Sequence, residues 1–130
     1  MSRPVMYIFV NKGLGMSSGK MAAQVAHAAI EGYILSDPKL IKEWRYGKHY
    51  TKLVMQARDA THLTTIQRYL LDRGVKCELI IDEGMTEIDP HVSTALGVEI
   101  VDKEDPHIEA TFSTFELYRD TIKVTLEIPR

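Results

Sequence analysis

The sequence is short of several things, and each shortage narrows what the chain does. It has one cysteine, Cys77, in 130 residues, so it forms no intrachain disulfide and builds no thiolate metal cluster. Its five histidines, His27, His49, His62, His91 and His107, include no pair at metal-ligand spacing. No run approaches the roughly 18 consecutive apolar residues of a membrane span. The opening MSRPVMYIFV lacks a basic n-region, a long apolar stretch and a small-residue cleavage site, so no signal peptide is expected. No serine stands on a nucleophile elbow, which argues against a Ser-His-Asp enzyme. These absences point to a cytoplasmic setting, with Cys77 as a buried small hydrophobe.

What is present fits one domain over residues 1–130, with 45% apolar and 26% charged residues. The net charge of −2 is unevenly spread. Residues 1–60 carry nine Lys or Arg against four Asp or Glu, and residues 61–130 carry seven against fourteen. A bland total can therefore hide a basic face.

The apolar run Val5 to Val10 predicts a buried strand. A Gly- and Ser-rich loop follows, then an alanine-dense helix from about Ser18 to Leu35. Alanine favours helix and lets the backbone lie close to a sheet. Pro38 opens a second helix to about Tyr46. Tyr50 to Gln56 reads as a strand, Asp59 caps a helix to about Arg73 closed by Gly74, and Val75 to Ile81 reads as a third strand. That alternation predicts an α/β three-layer sandwich, with a largely parallel sheet and helices on both faces. Gly97 to Val101 is short and apolar. Asp105-Pro106 starts a helix carrying Ile108, Phe112 and Phe115, and Thr121 to Ile128 alternates like a half-buried strand. A hairpin turning at Arg119-Asp120 is the competing reading of 111–128.

In such sheets, sites collect beyond the carboxyl ends of strands. Two loops qualify, Asn11 to Gly19 and the one opening Asp82-Glu83-Gly84. The first imitates a phosphate loop, but Gly13 and Gly19 enclose five residues and Met21 replaces the Ser or Thr that would hold magnesium. It still delivers Lys20 to a helix N-terminus, which attracts anions. Lys20, Gln24, His27 and Glu31 then fall within roughly 60° on one helix face. The plain alternative for this stripe is a solvent face. In the second loop, Asp82 directly follows a buried strand, where it can act as a base or orient a water. Gly84 permits a sharp turn, and Thr86 and Thr94 supply hydroxyls. The plain alternative here is an ordinary turn.

The run from Met16 to Ala29, MSSGKMAAQVAHAA, resembles the first-helix signature of the second, archaeal and eukaryotic class of peptidyl-tRNA hydrolases. The run Asp82 to Ile88, DEGMTEI, followed by Thr94, Leu96 and Gly97, is similar to that family's second motif, and Trp44 also fits. The likeness covers about residues 5–101. It implies hydrolysis of the ester joining a peptide to the tRNA terminal ribose, without metal or organic cofactor. It also implies a mixed four-stranded sheet with the last strand antiparallel, and a homodimer. By position, the family's functional residues fall on Lys20, Asp82, Thr86 and Thr94, with Gln24, His27 and Gly84 in support. Gly13, His91 and Glu87 depart from the family pattern, and residues 105–130 form an extended ending.

The expected partner is peptidyl-tRNA, lying along Lys12, Lys20, Lys39, Lys42, Arg45 and Lys48, with no DNA and no membrane. Grip on phosphates would be largely independent of sequence. Two rivals stand beside the hydrolase: a non-catalytic module binding tRNA or protein, and another small hydrolase or transferase on the same scaffold.

Overall fold

The structure is a computed structural model that describes residues 2–82 and 92–120. Strand β1 (Pro4–Asn11) leads through a single 3-10 turn (Lys12–Leu14) to helix α1 (Ser18–Leu35). Then follow α2 (Pro38–Arg45), β2 (Lys52–Ala57), α3 (Ala60–Asp72) and β3 (Cys77–Ile81). After residues 83–91 come β4 (Ser93–Val98), the two-residue β5 (Val101–Asp102) and α4 (Pro106–Phe112).

Each helix start carries its own local signal. Ser17 caps α1 by accepting from the Lys20 N–H at 3.2 Å. Asp37, Asp59 and Asp105 cap α2, α3 and α4 in the same way, and Pro38 and Pro106 occupy the first turns. Such caps satisfy N–H groups that the helix leaves unpaired.

The sheet order is β2-β1-β4-β3, with β5 pairing β1. β1 and β2 run parallel from Met6–Lys52 to Asn11–Ala57. β4 is antiparallel to both its neighbours, so β1, β2 and β3 share one direction and β4 opposes them from inside the sheet. The alternating side chains of β1 feed two cores. Val5, Tyr7 and Phe9 pack with Leu63, Ile66 and Leu70 of α3 and Ile108 and Phe112 of α4. Met6 and Ile8 pack on the other face with Ala28 of α1 and Trp44 of α2. The result is the three-layer sandwich with helices on both faces.

β4 is the strand that the residue pattern does not announce, since only Gly97 to Val101 reads as apolar. Its sequence, STALGV, has few β-branched residues for a physical reason. A Cβ on Gly97 would stand 2.1 Å from the Ala28 carbonyl oxygen. A Cβ on Gly32 would stand 2.4 Å from the Val98 carbonyl oxygen. Helix α1 lies directly on β4, and small residues on both sides make that possible.

The helix expected from Asp105-Pro106 is present as α4, capped by Asp105. Ile108 and Phe112 belong to the buried core, and Phe115 packs edge-on to Phe9 at 4.9 Å between ring centres. Beyond α4 the chain meets the free edge of β2. The Tyr118 N–H donates to the Val54 carbonyl (2.9 Å), and the Gln56 N–H donates to the Glu116 carbonyl (3.0 Å). The strand expected over Thr121 to Ile128 lies outside the described residues. Cys77 is buried as expected, and burial first, with nearby Glu78 and Glu99, pushes its thiol up to about 11.

Candidate active site

Because β4 opposes β1 and β3, its first residues lie at the same edge of the sheet as their carboxyl ends. Asn11, Asp82 and Thr94 therefore meet at one edge, and α1 starts above it.

Lys20 sits in the first turn of α1 and reaches down to Asp82. Its Nζ lies 3.0 Å from Asp82 Oδ1, and the two side chains are only 10% and 4% exposed. The Asp82 N–H donates to the Val92 carbonyl at 3.0 Å, which holds the residue at the end of β3. Asp82 Oδ2 is buried and has no hydrogen-bond partner among the described residues. A buried carboxylate oxygen without a donor is costly, and a donor from solvent or ligand would relieve it.

Thr94 reaches α1 through a break in the sheet. Ile80 pairs with Ala95, but Ile81 pairs with Ser93, so Thr94 is an extra residue in β4. This is a β-bulge, a device that re-aims a side chain. Alternation from Leu96 would point Thr94 toward α3, yet its hydroxyl donates to Gln24 Oε1 of α1. Its Oγ1 also lies 3.4 Å from the Ile80 carbonyl. Gln24 and Thr94 are both buried.

The polar stripe of α1 is therefore not simply a solvent face. Lys20, Gln24, His27 and Glu31 line a groove of about 550 Å³ against Glu78 to Asp82 of β3. Gln24 is its buried floor, Glu31 is half-buried and His27 is exposed.

Asn11 is a residue the sequence reading passed over as a mere loop boundary. It is buried, its Nδ2 donates to the Ser93 carbonyl at 2.9 Å, and its Oδ1 has no partner among the described residues. It ties the end of β1 to the residue before the bulge. A polar side chain closing a buried apolar strand was the available signal.

Other expected residues lie elsewhere. Gly84 and Thr86, with the departures Glu87 and His91, fall outside the described residues. Lys39, Lys42 and Arg45 belong to α2, with Lys48 just after it. That helix follows the far end of α1, where Ser36 Oγ accepts from the Ile100 N–H beyond β4. These four cations therefore stand toward the amino edge of the sheet, and only Lys12 and Lys20 of the expected basic set stand at the carboxyl edge.

A family profile described as "Peptidyl-tRNA hydrolase PTH2" matches residues 4–118. The chain belongs to the PTH2 family. The PTH2 match takes in Lys20, Gln24, Asp82 and Thr94, and it runs past Val101, where the likeness in sequence was expected to fade, through α4 to Tyr118. Among relatives, the mouse protein named "Peptidyl-tRNA hydrolase 2, mitochondrial" is 34% identical over 112 residues, covering 80% of this chain and 61% of the mouse protein. A peptidyl-tRNA hydrolase of Thermoplasma acidophilum is 35% identical over 96 residues, covering 72% of this chain and 81% of that one. A third, of Methanocaldococcus jannaschii, is 31% identical over 113 residues, covering 80% of this chain and 96% of that one. The chain thus spans about three fifths of the mouse PTH2 protein, but most of the archaeal ones.

Proposed function

We propose that this chain hydrolyses the ester between a peptide, or an N-blocked amino acid, and the terminal ribose of tRNA. One observation carries the reading: Asp82 is buried with one oxygen held by Lys20 and the other without a partner among the described residues, beside an open groove. The free oxygen can accept a hydrogen bond from a water and orient it or take its proton. Lys20, at the positive end of α1, can stabilise the oxyanion that forms as the water attacks. Thr94 and Gln24 form the buried wall behind this pair, and Thr86 is assigned by position to the same water. None of these steps needs a metal or an organic cofactor.

The test is to incubate purified protein with N-acetyl-aminoacyl-tRNA and measure the acyl group released. Release supports the hydrolase. Tight binding without release would instead favour the non-catalytic module.

Residues 1–130 are proposed to act as one unit, which the match through Tyr118 supports. A homodimer is also part of the proposal, and α1 supplies a surface for it. Ile108 and Phe112 are consumed by the chain's own core, whereas Ile30, Tyr33 and Ile34 leave an exposed apolar stripe on α1. Light scattering at micromolar concentration tests it, and a monomer mass would end it. The cytoplasmic setting stands as a proposal too, with the printed name of the mouse relative offering mitochondria as the alternative. Cell fractionation separates the two.

A further inference from the structure

A second groove opens at the end of β2, with a volume of about 530 Å³. Three elements bring nitrogen donors to it: Lys12 from the 3-10 turn, Arg58 from just after β2, and His62 from the first turn of α3. Gly13 makes the meeting possible. A Cβ there would stand 2.3 Å from the Arg58 carbonyl oxygen, so only glycine lets the turn after β1 close on the end of β2.

The donors are set in place by their neighbours. Lys12 Nζ lies 3.2 Å from Gln56 Oε1 and 5.4 Å from the centre of the Tyr118 ring. The Arg58 N–H donates to His62 Nδ1 at 2.9 Å. That leaves the ring proton of neutral His62 on Nε2, as a donor. Burial, and next the Arg58 charge, lower the His62 pKa and favour this neutral form. The Arg58 guanidinium has no carboxylate partner among the described residues, where the ion pairs are Arg3–Glu104 and Lys20–Asp82. Among the described residues one carboxylate, Glu116, lines the groove, and its Oε1 accepts from Gln56 Nε2 at 3.2 Å. Two full positive charges therefore face one negative, and an anion fits.

The position of the groove says which anion. β2 and β3 flank the order β2-β1-β4-β3, so the groove and Asp82 share one edge and stand three strand spacings apart. That separation is about 14 Å. We infer that Lys12, Arg58 and His62 form a phosphate subsite for a phosphodiester of the unpaired tRNA 3′ end, upstream of the ester held at Lys20 and Asp82. The inference rests on the hydrolase reading for the identity of its ligand. The arginine supplies a planar fork and the lysine a point charge, both suited to phosphate oxygens. Such a contact positions the strand without reading its bases. The grip is already complete in the ground state, so it acts on KM and leaves kcat alone.

The experiment compares the unaltered protein with Arg58→Gln on two esters: N-acetyl-aminoacyl-tRNA and N-acetyl-aminoacyl-adenosine, which has the same ester and no phosphate. KM for the tRNA ester should rise about tenfold, the scale of a hydrogen bond to a charged group, with kcat unchanged. The adenosine ester should be hydrolysed as before, and Arg58→Lys should recover part of the tRNA KM. Binding of uncharged tRNA, followed by fluorescence anisotropy, should lose about 0.7 from its slope of log affinity against log salt. An unchanged tRNA KM and salt slope, or an equal loss on both esters, overturns the subsite. Failure of the unaltered protein to cleave either ester would strike the hydrolase reading alone, because the anisotropy measurement tests the groove without turnover.

Discussion

At the amino edge of the sheet, Ser36 Oγ donates to the Gly32 carbonyl (2.7 Å) and accepts from the Ile100 N–H (2.7 Å). Close by, Trp44 Nε1 donates to the Thr51 carbonyl at 2.7 Å. At the carboxyl edge, Asp82 Oδ2 and Asn11 Oδ1 are equally buried and have no partner among the described residues. The same α1 touches both edges, so the contrast is not one of layer or packing. Under the proposed function, it reflects what each edge is for. A buried polar atom with its partners supplied by the chain fastens the fold, while one left open keeps a place for a water or substrate atom at a standing cost in stability.

The largest break in this contrast should come from Lys20→Ala. It leaves the Asp82 charge buried and unpaired, so stability should fall by about 3–5 kcal/mol in urea titration. Hydrolysis of N-acetyl-aminoacyl-tRNA should largely vanish, and near-normal turnover would remove Lys20 from the chemistry. Asp82→Asn keeps the shape and removes the carboxylate. Turnover should fall roughly 10²-fold or more, the scale of one positioned base, with the circular dichroism of the folded protein retained.

Ser36→Ala tests the opposite edge. It strips the buried Ile100 N–H of its partner and should cost about 1–3 kcal/mol of stability, while the turnover of folded protein stays the same. A loss of kcat at full folding would show that the amino edge is not merely structural. The smallest effect is expected from Thr94→Val, which keeps the volume and removes the hydroxyl. Turnover should drop by about tenfold, near the worth of one hydrogen bond, and Thr94→Ser should restore it. If Thr94→Val is as damaging as Asp82→Asn, Thr94 touches the reacting atoms rather than the wall behind them.

Much of this was legible in the residues themselves, because it is local physics. The capping residues Ser17, Asp37, Asp59 and Asp105 place the helix starts, and the alanine density of α1 foretells its close seat on the sheet. The spacing of Lys20, Gln24, His27 and Glu31 puts them on one face by helical geometry alone. The position of Asp82 after a buried strand marks it for the same edge as Lys20. Only the tertiary structure decided the rest. β4 is inserted between β1 and β3 by pairings distant in sequence, and its small residues reflect a helix that no local window contains. The bulge that turns Thr94 toward Gln24 is a slip of register between two strands, which neither strand encodes by itself. Asn11 became part of the site, and Arg58 and His62 became neighbours of Lys12, because three chain segments end at one sheet edge. Conversely, Lys39, Lys42, Arg45 and Lys48 were separated from that edge because α2 packs near the amino end of the sheet, over Met6 and Ile8. Charge and periodicity are properties of the chain, whereas which charges share an edge depends on strand order, and strand order is set by long-range pairing.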